Sequence, residues 1–186
     1  EYPFWNPYLM SGIPNVGSTT SHVFYPITIL LCKILYNEEA GYLSPMIMYY
    51  LAVIHLGIFA CGSYYLFRIL KIRRSISFVI STLICFSGMV FFFVKWNALF
   101  CGFSYFPLIW AFSIQMMEKL TDRKTWRYCA LNGMTLGIIG LACASHSLLL
   151  AVLQYAIIFF IYVFKYRDDK EALLKLIKVT VISGVL

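Results

Sequence analysis

The sequence predicts an all-α protein, a polytopic transmembrane helix bundle preceded by an external loop and a short interfacial helix. Of its 186 residues, 61% are hydrophobic and 12% are charged, whereas an ordinary soluble domain has roughly 45–50% apolar and about 25% charged residues. The charged residues are also confined to short segments that separate long uncharged runs. A water-soluble core of this size cannot hold so much apolar surface, so the runs are expected to cross a membrane.

Residues 1–42 are predicted to be an extracytoplasmic loop with an interfacial or re-entrant helix. The stretch from Trp5 to Pro14 contains two prolines, a glycine and an asparagine, a composition that excludes a long helix or a central strand. The uncharged run from Val23 to Cys32 has ten residues, and a membrane crossing needs roughly 20. We therefore expect a shaped loop at the membrane surface and a helix that lies along the interface.

Residues 43–186 are predicted to be the transmembrane domain. The uncharged runs predict spans at about 43–67, 76–94, 98–117, 128–145 and 147–164, and a further span from about 176 that is cut off at the end of the chain. The fourth and fifth spans divide one uncharged run of 37 residues between Arg127 and Lys165. That run is too long for one crossing and fits a hairpin of two, with its turn near His146.

The basic residues are predicted to lie on one side of the membrane. If successive turns alternate between the two sides, 13 of the 15 Lys and Arg residues fall on the same side. They are Arg68, Lys71, Arg73, Arg74, Lys119, Arg123, Lys124, Arg127, Lys165, Arg167, Lys170, Lys175 and Lys178. The positive-inside rule places them in the cytoplasm, so residues 1–42 and the turns near Asn97 and His146 face outward. Short basic loops explain the net charge of +7 without nucleic acid as a partner.

The cysteines and the motif content indicate no metal or self-contained catalytic site. The six cysteines stand singly in apolar surroundings, as small hydrophobic residues do, and form no pair with metal-ligand spacing. The sequence has no G-x-S-x-G, P-loop, His-Glu-x-x-His or paired aspartate motif. No cofactor is evident, and nothing in this stretch of chain supports a divalent metal.

Polar and aromatic residues that are distant in sequence share the outward side. The candidates for binding a substrate are Trp5, Asn6, Tyr8, His22, Tyr25, Lys95, Asn97 and His146. Glu38 and Glu39 are the candidates within the chain for an external general base, which must lie within hydrogen-bond reach of the hydroxyl that it activates.

Each of these candidates also has a simpler structural interpretation. The tryptophan and tyrosine side chains, with Trp96, fit an aromatic belt at the membrane interface. Lys95 fits a hairpin end that snorkels to the headgroups, and His146 fits a polar turn. Glu38 and Glu39 fit a solvated end of the interfacial helix.

The opening stretch resembles a known family of membrane proteins. It reads Pro3-Phe4-Trp5-Asn6-Pro7-Tyr8-Leu9-Met10-Ser11-Gly12-Ile13-Pro14, followed by Gly17 and then Val23-Phe24-Tyr25-Pro26. This is similar to the P-x-W-N-P-Y-x-x-x-G-x-P and F-Y-P signature of the YfhO-like bacterial membrane proteins. Later features occur in a similar order, namely Phe86-Ser87-Gly88, Asn97, Pro107 and His146.

The resemblance implies a GT-C-type glycosyltransferase in the bacterial cytoplasmic membrane. Such enzymes take a sugar from a polyprenyl-phosphate lipid and deliver it to an acceptor outside the membrane, and YfhO-like members are associated with glycosylating cell-envelope polymers such as lipoteichoic acid. The implied partners are membrane lipids, this donor and this acceptor. An acidic residue of the first external loop would deprotonate the acceptor hydroxyl, and a lipid phosphate would leave.

Only some of the family's site residues have a match in this chain. The chain starts at Glu1 rather than at methionine and is expected to be a piece of a longer protein, with the catalytic base upstream of Glu1. Of the family's Gly-His-Pro-Gln-like turn only His146 matches, and Thr20 stands where the family often has glutamine. The resemblance implies that His146 and Asn97 line the site and that Trp5, Asn6 and Tyr8 shape it.

Two other functions stay open at this stage. A transporter or flippase of envelope lipids would need polar or charged residues deep inside the spans. A non-catalytic membrane partner would need neither such residues nor a catalytic base.

Overall fold

The computed structural model shows an all-α helical bundle. It describes residues 5–6, 13–14, 25–37, 42–43, 46–95, 97–120, 122–142 and 145–185, of which 5–6, 13–14, 36–37, 42–43, 93, 95, 97–98, 145 and 185 are described by their backbone alone. The helices are α1 (Pro26–Leu35), α2 (Ile47–Ile69), α3 (Arg74–Cys85), α4 (Gly88–Lys95), α5 (Asn97–Phe103), α6 (Phe106–Glu118), α7 (Thr125–Ala142), α8 (Ser145–Lys165) and α9 (Lys170–Val185).

Two short antiparallel strand pairs lie before α2. Strand β1 (Trp5–Asn6) pairs with β2 (Ile13–Pro14), and β3 (Tyr36–Asn37) pairs with β4 (Tyr42–Leu43). Each strand has two residues, so the fold class stays all-α. Trp5 pairs with Pro14 and Asn6 with Ile13, and the shaped loop at the membrane surface stays a prediction.

Within the described residues, four helical segments are long and apolar enough to cross a membrane. They are Ile47–Ile69, Arg74–Phe92, Leu99–Glu118 and His146–Lys165. These segments correspond to the predicted spans 43–67, 76–94, 98–117 and 147–164, so the prediction of a multi-pass membrane protein is confirmed. Helix α1 has ten residues, which is too short for a crossing, and its position at the membrane interface stays a prediction.

Helix α7 covers most of the predicted span 128–145 but is not among these four segments. Arg127, Asn132 and Thr135 make it more polar than its neighbours. It packs against α6, α8 and α9, and Asn132 and Gly133 are buried. Asn132 and Thr135 lie on the buried face of α7, where the neighbouring helices shield them from lipid.

Helix α9 begins at Lys170, earlier than the predicted start near residue 176. The carboxylate of Asp169 accepts a hydrogen bond from the backbone N–H of Ala172 at 3.1 Å. An acceptor at this position satisfies one of the free N–H groups of the first turn. The charged segment before the apolar run is therefore the first turn of the same helix.

The span Leu99–Glu118 is interrupted by a turn at Ser104 and Tyr105, between α5 and α6. Pro107 explains the interruption, because it has no N–H to donate to the carbonyl of residue 103 and its ring clashes with that carbonyl. The hydroxyl of Ser104 donates to the carbonyl of Cys101 at 2.9 Å. The Ser104 hydroxyl is thus paired within the turn, and Tyr105 is buried there.

The basic turns lie together at one end of the bundle. The amide of Gln115 donates to the hydroxyl of Tyr65 at 3.1 Å, which joins the last turns of α6 and α2. The hydroxyl of Tyr166 donates to the carbonyl of Met117 at 3.2 Å, which joins the ends of α8 and α6. Helices α2, α6 and α8 therefore run in the same direction. We call their ends, with the turn residues 70–73, 119–120, 122–124 and 166–169, the basic end, and the other side of the bundle the opposite end.

Tyr166 itself is a neutral hydrogen-bond donor at the basic end. Burial raises its pKa above the ordinary value for tyrosine, and the carboxylates of Glu118 and Asp169 raise it further. The hydroxyl therefore stays protonated at neutral pH and keeps its bond to the Met117 carbonyl.

The span Leu99–Glu118 is the centre of the bundle. In its most apolar window 61% of the residues are buried, compared with 22–28% in the other three spans. Helix α2 approaches α6 at Gly62, where a Cβ atom would lie 3.1 Å from Cγ of Leu108 and 3.5 Å from Cβ of Pro107. Small residues at such crossings let two transmembrane helices pack closely.

We predict that Gly62→Leu destabilises the bundle and that Gly57→Leu does not. A Cβ atom at Gly57 would have nothing within 4 Å, so the second variant is a matched control on the same helix. Overpacking at Gly62 should lower the free energy of unfolding by about 1–3 kcal/mol. Unfolding of both variants in detergent micelles, followed by circular dichroism, measures the difference. Equal losses would contradict the close approach of α2 to α6.

Candidate functional site

A chain of hydrogen bonds joins three side chains inside the bundle. The hydroxyl of Tyr25 lies 2.6 Å from Nε2 of His55 and 2.7 Å from the hydroxyl of Tyr105. Nδ1 of His55 lies 2.6 Å from the carbonyl oxygen of Leu51, one turn earlier on α2. Tyr25 and His55 are fully buried and Tyr105 is 7% exposed. We call these three side chains the Tyr-His-Tyr chain.

The direction of these bonds follows from the Leu51 carbonyl. A carbonyl only accepts, so Nδ1 of His55 carries the hydrogen. In the neutral ring Nε2 is then an acceptor, and it takes the hydrogen of the Tyr25 hydroxyl. The oxygen of Tyr25 in turn accepts from the hydroxyl of Tyr105. Each donor in the chain therefore has an acceptor, as an interior without water requires.

The Tyr-His-Tyr chain lies near the opposite end of the bundle. His55 is eight residues after the start of α2 and Tyr105 six residues after Leu99, which puts both about 9–12 Å along their spans. Sγ of Cys101 lies 3.9 Å from Nδ1 of His55. Tyr25 directly precedes α1, so the chain fastens the start of α1 to α2 and to the α5–α6 turn. Tyr25 is therefore an interior residue rather than a lipid-facing member of an aromatic belt.

The same end brings together the helix starts that carry Asn97 and His146. Asn97 is the first residue of α5, and His146 is the second residue of α8. The hydroxyl of Ser147 donates to the carbonyl of Leu99 at 3.5 Å, which places the two helix starts side by side. His146 is exposed and lines a cleft of about 470 Å³, and among the described residues Leu148, Leu149 and Val152 line it as well.

The remaining predicted site residues are described only in part. Tyr8, His22, Glu38 and Glu39 lie outside the described residues, as does Trp96. For Trp5, Asn6, Lys95 and Asn97 the backbone is described, in β1, at the end of α4 and at the start of α5. The roles of these side chains in a site stay predictions.

His55 and Tyr105 were not predicted from the sequence as candidates. His55 is the one histidine inside the uncharged run from Ala40 to Phe67, and an ionisable side chain at membrane depth is a signal for a buried polar contact. Tyr105 carries no such signal, because tyrosine is equally common at interfaces. Its place in the hydrogen-bond chain depends on the turn at residues 104–105, which is caused by Pro107, two residues after Tyr105.

A second group of buried polar side chains joins α6, α7 and α9. The hydroxyl of Ser113 donates to Oδ1 of Asn132 at 3.3 Å, and Nδ2 of Asn132 donates to the hydroxyl of Ser183 at 3.1 Å. All three residues are buried. Paired in this way, they act as interhelical contacts in the middle of the bundle.

The described part of the chain contains no group of three or more His, Cys, Asp or Glu side chains that could hold a metal ion. Comparison with known proteins assigns no family to the chain. No family model matches it, and neither does any curated protein or solved structure. Its function is therefore inferred from the residues themselves.

We predict that Asn132→Ala weakens the bundle more than Thr135→Val does. The first change removes two interhelical hydrogen bonds, whereas the hydroxyl of Thr135 donates at 2.7 Å only to the Leu131 carbonyl of its own helix. The expected losses are about 1–2 kcal/mol for Asn132→Ala and a few tenths for Thr135→Val. Unfolding of the purified protein by SDS in mixed micelles compares the two. A larger loss for Thr135→Val would contradict the bridging role of Asn132.

Proposed function

We propose that the chain belongs to a membrane glycosyltransferase that moves a sugar from a polyprenyl-phosphate donor to an extracytoplasmic cell-envelope polymer such as lipoteichoic acid. The observation that carries this proposal is that three segments with candidate residues meet at the opposite end. There the helix starts bearing Asn97 and His146 lie side by side, and Tyr25, which ends the family-like opening segment, is fastened to the bundle.

The proposed orientation follows from the charges. The basic turns lie together at one end, and basic turns favour the cytoplasmic side of a bacterial membrane. The opposite end, with the opening loop, then faces outward, where envelope polymers are found.

The cleft beside His146 suits a lipid-linked donor. Its walls include the aliphatic side chains of Leu148, Leu149 and Val152, which match a hydrocarbon tail. The exposed imidazole of His146 is a hydrogen-bond donor at the rim of this apolar surface. Such a donor stabilises the negative charge that develops on a departing phosphate.

The proposed reaction is a single displacement at the anomeric carbon. The acceptor hydroxyl oxygen forms a bond to that carbon, and the bond from the carbon to the phosphate oxygen breaks. The hydroxyl proton passes to a carboxylate base. The base is expected from an acidic residue upstream of Glu1, with Glu38 and Glu39 as the alternatives within this chain.

We predict that deletion of the gene removes a sugar from an envelope polymer and that His146→Ala and Asn97→Ala fail to restore it. Loss of a group that stabilises the leaving phosphate should lower transfer at least about tenfold. The measurement is the sugar content of purified envelope polymers, after hydrolysis and mass spectrometry, in strains that express each variant at the wild-type level.

Ser75→Ala is the matched control for this experiment, because Ser75 is an exposed residue at the basic end. It should restore the sugar fully. An unchanged polymer in the deletion strain would contradict the proposal. Translocation of labelled envelope lipid by the purified protein, without sugar transfer, would identify a flippase instead.

We predict that a cysteine in place of His146 reacts with a membrane-impermeant maleimide in intact cells and that one in place of Lys124 reacts only after the cells are opened. Both positions are exposed, one at each end of the bundle. Because positive turns stay in the cytoplasm, Lys124 should be shielded by the membrane. Mass spectrometry of the labelled peptides gives the result, and the reverse pattern would contradict the proposed orientation.

A further inference from the structure

We infer that His55 is a positioning residue that holds α1 in its docked position through Tyr25, and so fixes the point at which the opening loop joins the bundle. The importance of this for catalysis rests on the proposed function. The docking of α1 itself is a property of the fold and is testable without activity.

Apart from the Tyr-His-Tyr chain, helix α1 packs against α2 and the core through Leu31 and the partly buried Ile27, Cys32 and Leu35. It is too short to span the membrane, and Leu30 and Ile34 are 58% and 66% exposed. Leu31 is the one residue of α1 that is buried, and it belongs to the same core cluster as Tyr25. An isolated helix of ten residues is also marginal without tertiary contacts. Its position therefore depends strongly on the contact made by Tyr25.

The Tyr-His-Tyr chain is suited to hold this position. It ties three elements that are far apart in sequence, since Tyr25 precedes α1, His55 lies within α2 and Tyr105 lies in the α5–α6 turn. The Leu51 carbonyl fixes the ring of His55, so Nε2 accepts a hydrogen bond from one defined direction, where the Tyr25 hydroxyl lies. If Tyr25 moved away, a buried imidazole nitrogen and a buried tyrosine hydroxyl would both lose a partner, which is costly at this depth.

His55 acts on the proposed site through Tyr25. The imidazole is fully buried, so it does not touch a substrate at the opposite end. The segment with the family-like signature ends at Tyr25 and Pro26, and its junction with the bundle is set by the hydroxyl that His55 binds. Loss of the acceptor should therefore misplace the loop while it leaves the spans folded.

Two native cysteines report on this docking. Cys101 and Cys129 are both fully buried, but Cys101 lies beside His55 whereas Cys129 packs against α9, with its thiol 3.5 Å from the carbonyl of Val179. Release of α1 should open Cys101 to water and reagent and leave Cys129 covered. The rate of alkylation at Cys101 relative to Cys129 thus measures docking.

The experiment measures this ratio in the full-length protein in native membranes, with N-ethylmaleimide as the probe and peptide mass spectrometry as the readout. Tyr25→Phe and His55→Leu each remove a polar partner and should raise the ratio about three- to twentyfold. In His55→Gln the side-chain amide oxygen replaces Nε2 as acceptor, and the ratio should stay near that of the wild type. This rescue would distinguish the effect of losing the hydrogen bond from the effect of changing the size and shape of the side chain.

An unchanged ratio in Tyr25→Phe and His55→Leu would overturn the inference. So would an equal rise at Cys101 and Cys129, which would mean that the chain stabilises the whole bundle rather than α1. If the wild-type enzyme shows no sugar transfer while the ratio responds as expected, the proposed function fails and the docking role of His55 stands.

Discussion

Polar groups inside this bundle depend on partners within the protein, because the surrounding hydrocarbon supplies none. The Tyr-His-Tyr chain meets this requirement near the opposite end, and the contacts of Asn132 with Ser113 and Ser183 meet it in the middle. At the basic end, Gln115 and Tyr166 pair with groups on neighbouring helices. These polar contacts determine which helices are neighbours and which ends lie together.

The spans could be predicted from the sequence because a membrane crossing requires a long run of uncharged, mostly apolar residues. Uncharged runs of sufficient length, separated by basic turns, identified the four segments that are apolar enough to cross. Helix α7 departs from this rule, because the face that packs against neighbouring helices is shielded from lipid and holds polar residues such as Asn132. The break at Ser104 and Tyr105 depends on Pro107, whose effect was not drawn from the sequence.

The candidate site was less predictable, because it depends on contacts between distant segments. The position of Asn97 and His146 at the same end could be argued from alternating turns, and the contact of Ser147 with Leu99 brings their helix starts together. The partnership of Tyr25 with His55 and Tyr105 spans 80 residues, and no local pattern encodes it. The sequence predicts Tyr25 as a substrate-binding or aromatic-belt residue, and in the structure its hydroxyl bonds to His55 and Tyr105 inside the bundle.

The proposed transferase gives each end of the bundle a role. In this proposal the basic end stays in the cytoplasm, and the opposite end presents His146 and its apolar cleft to the outer leaflet. The most direct measurement uses purified full-length protein in proteoliposomes with a polyprenyl-phosphate donor that carries a radiolabelled sugar. The account predicts that the label becomes covalently attached to added lipoteichoic acid while polyprenyl phosphate is released in equal amount. Label that remains on the lipid in the presence of the acceptor would contradict it.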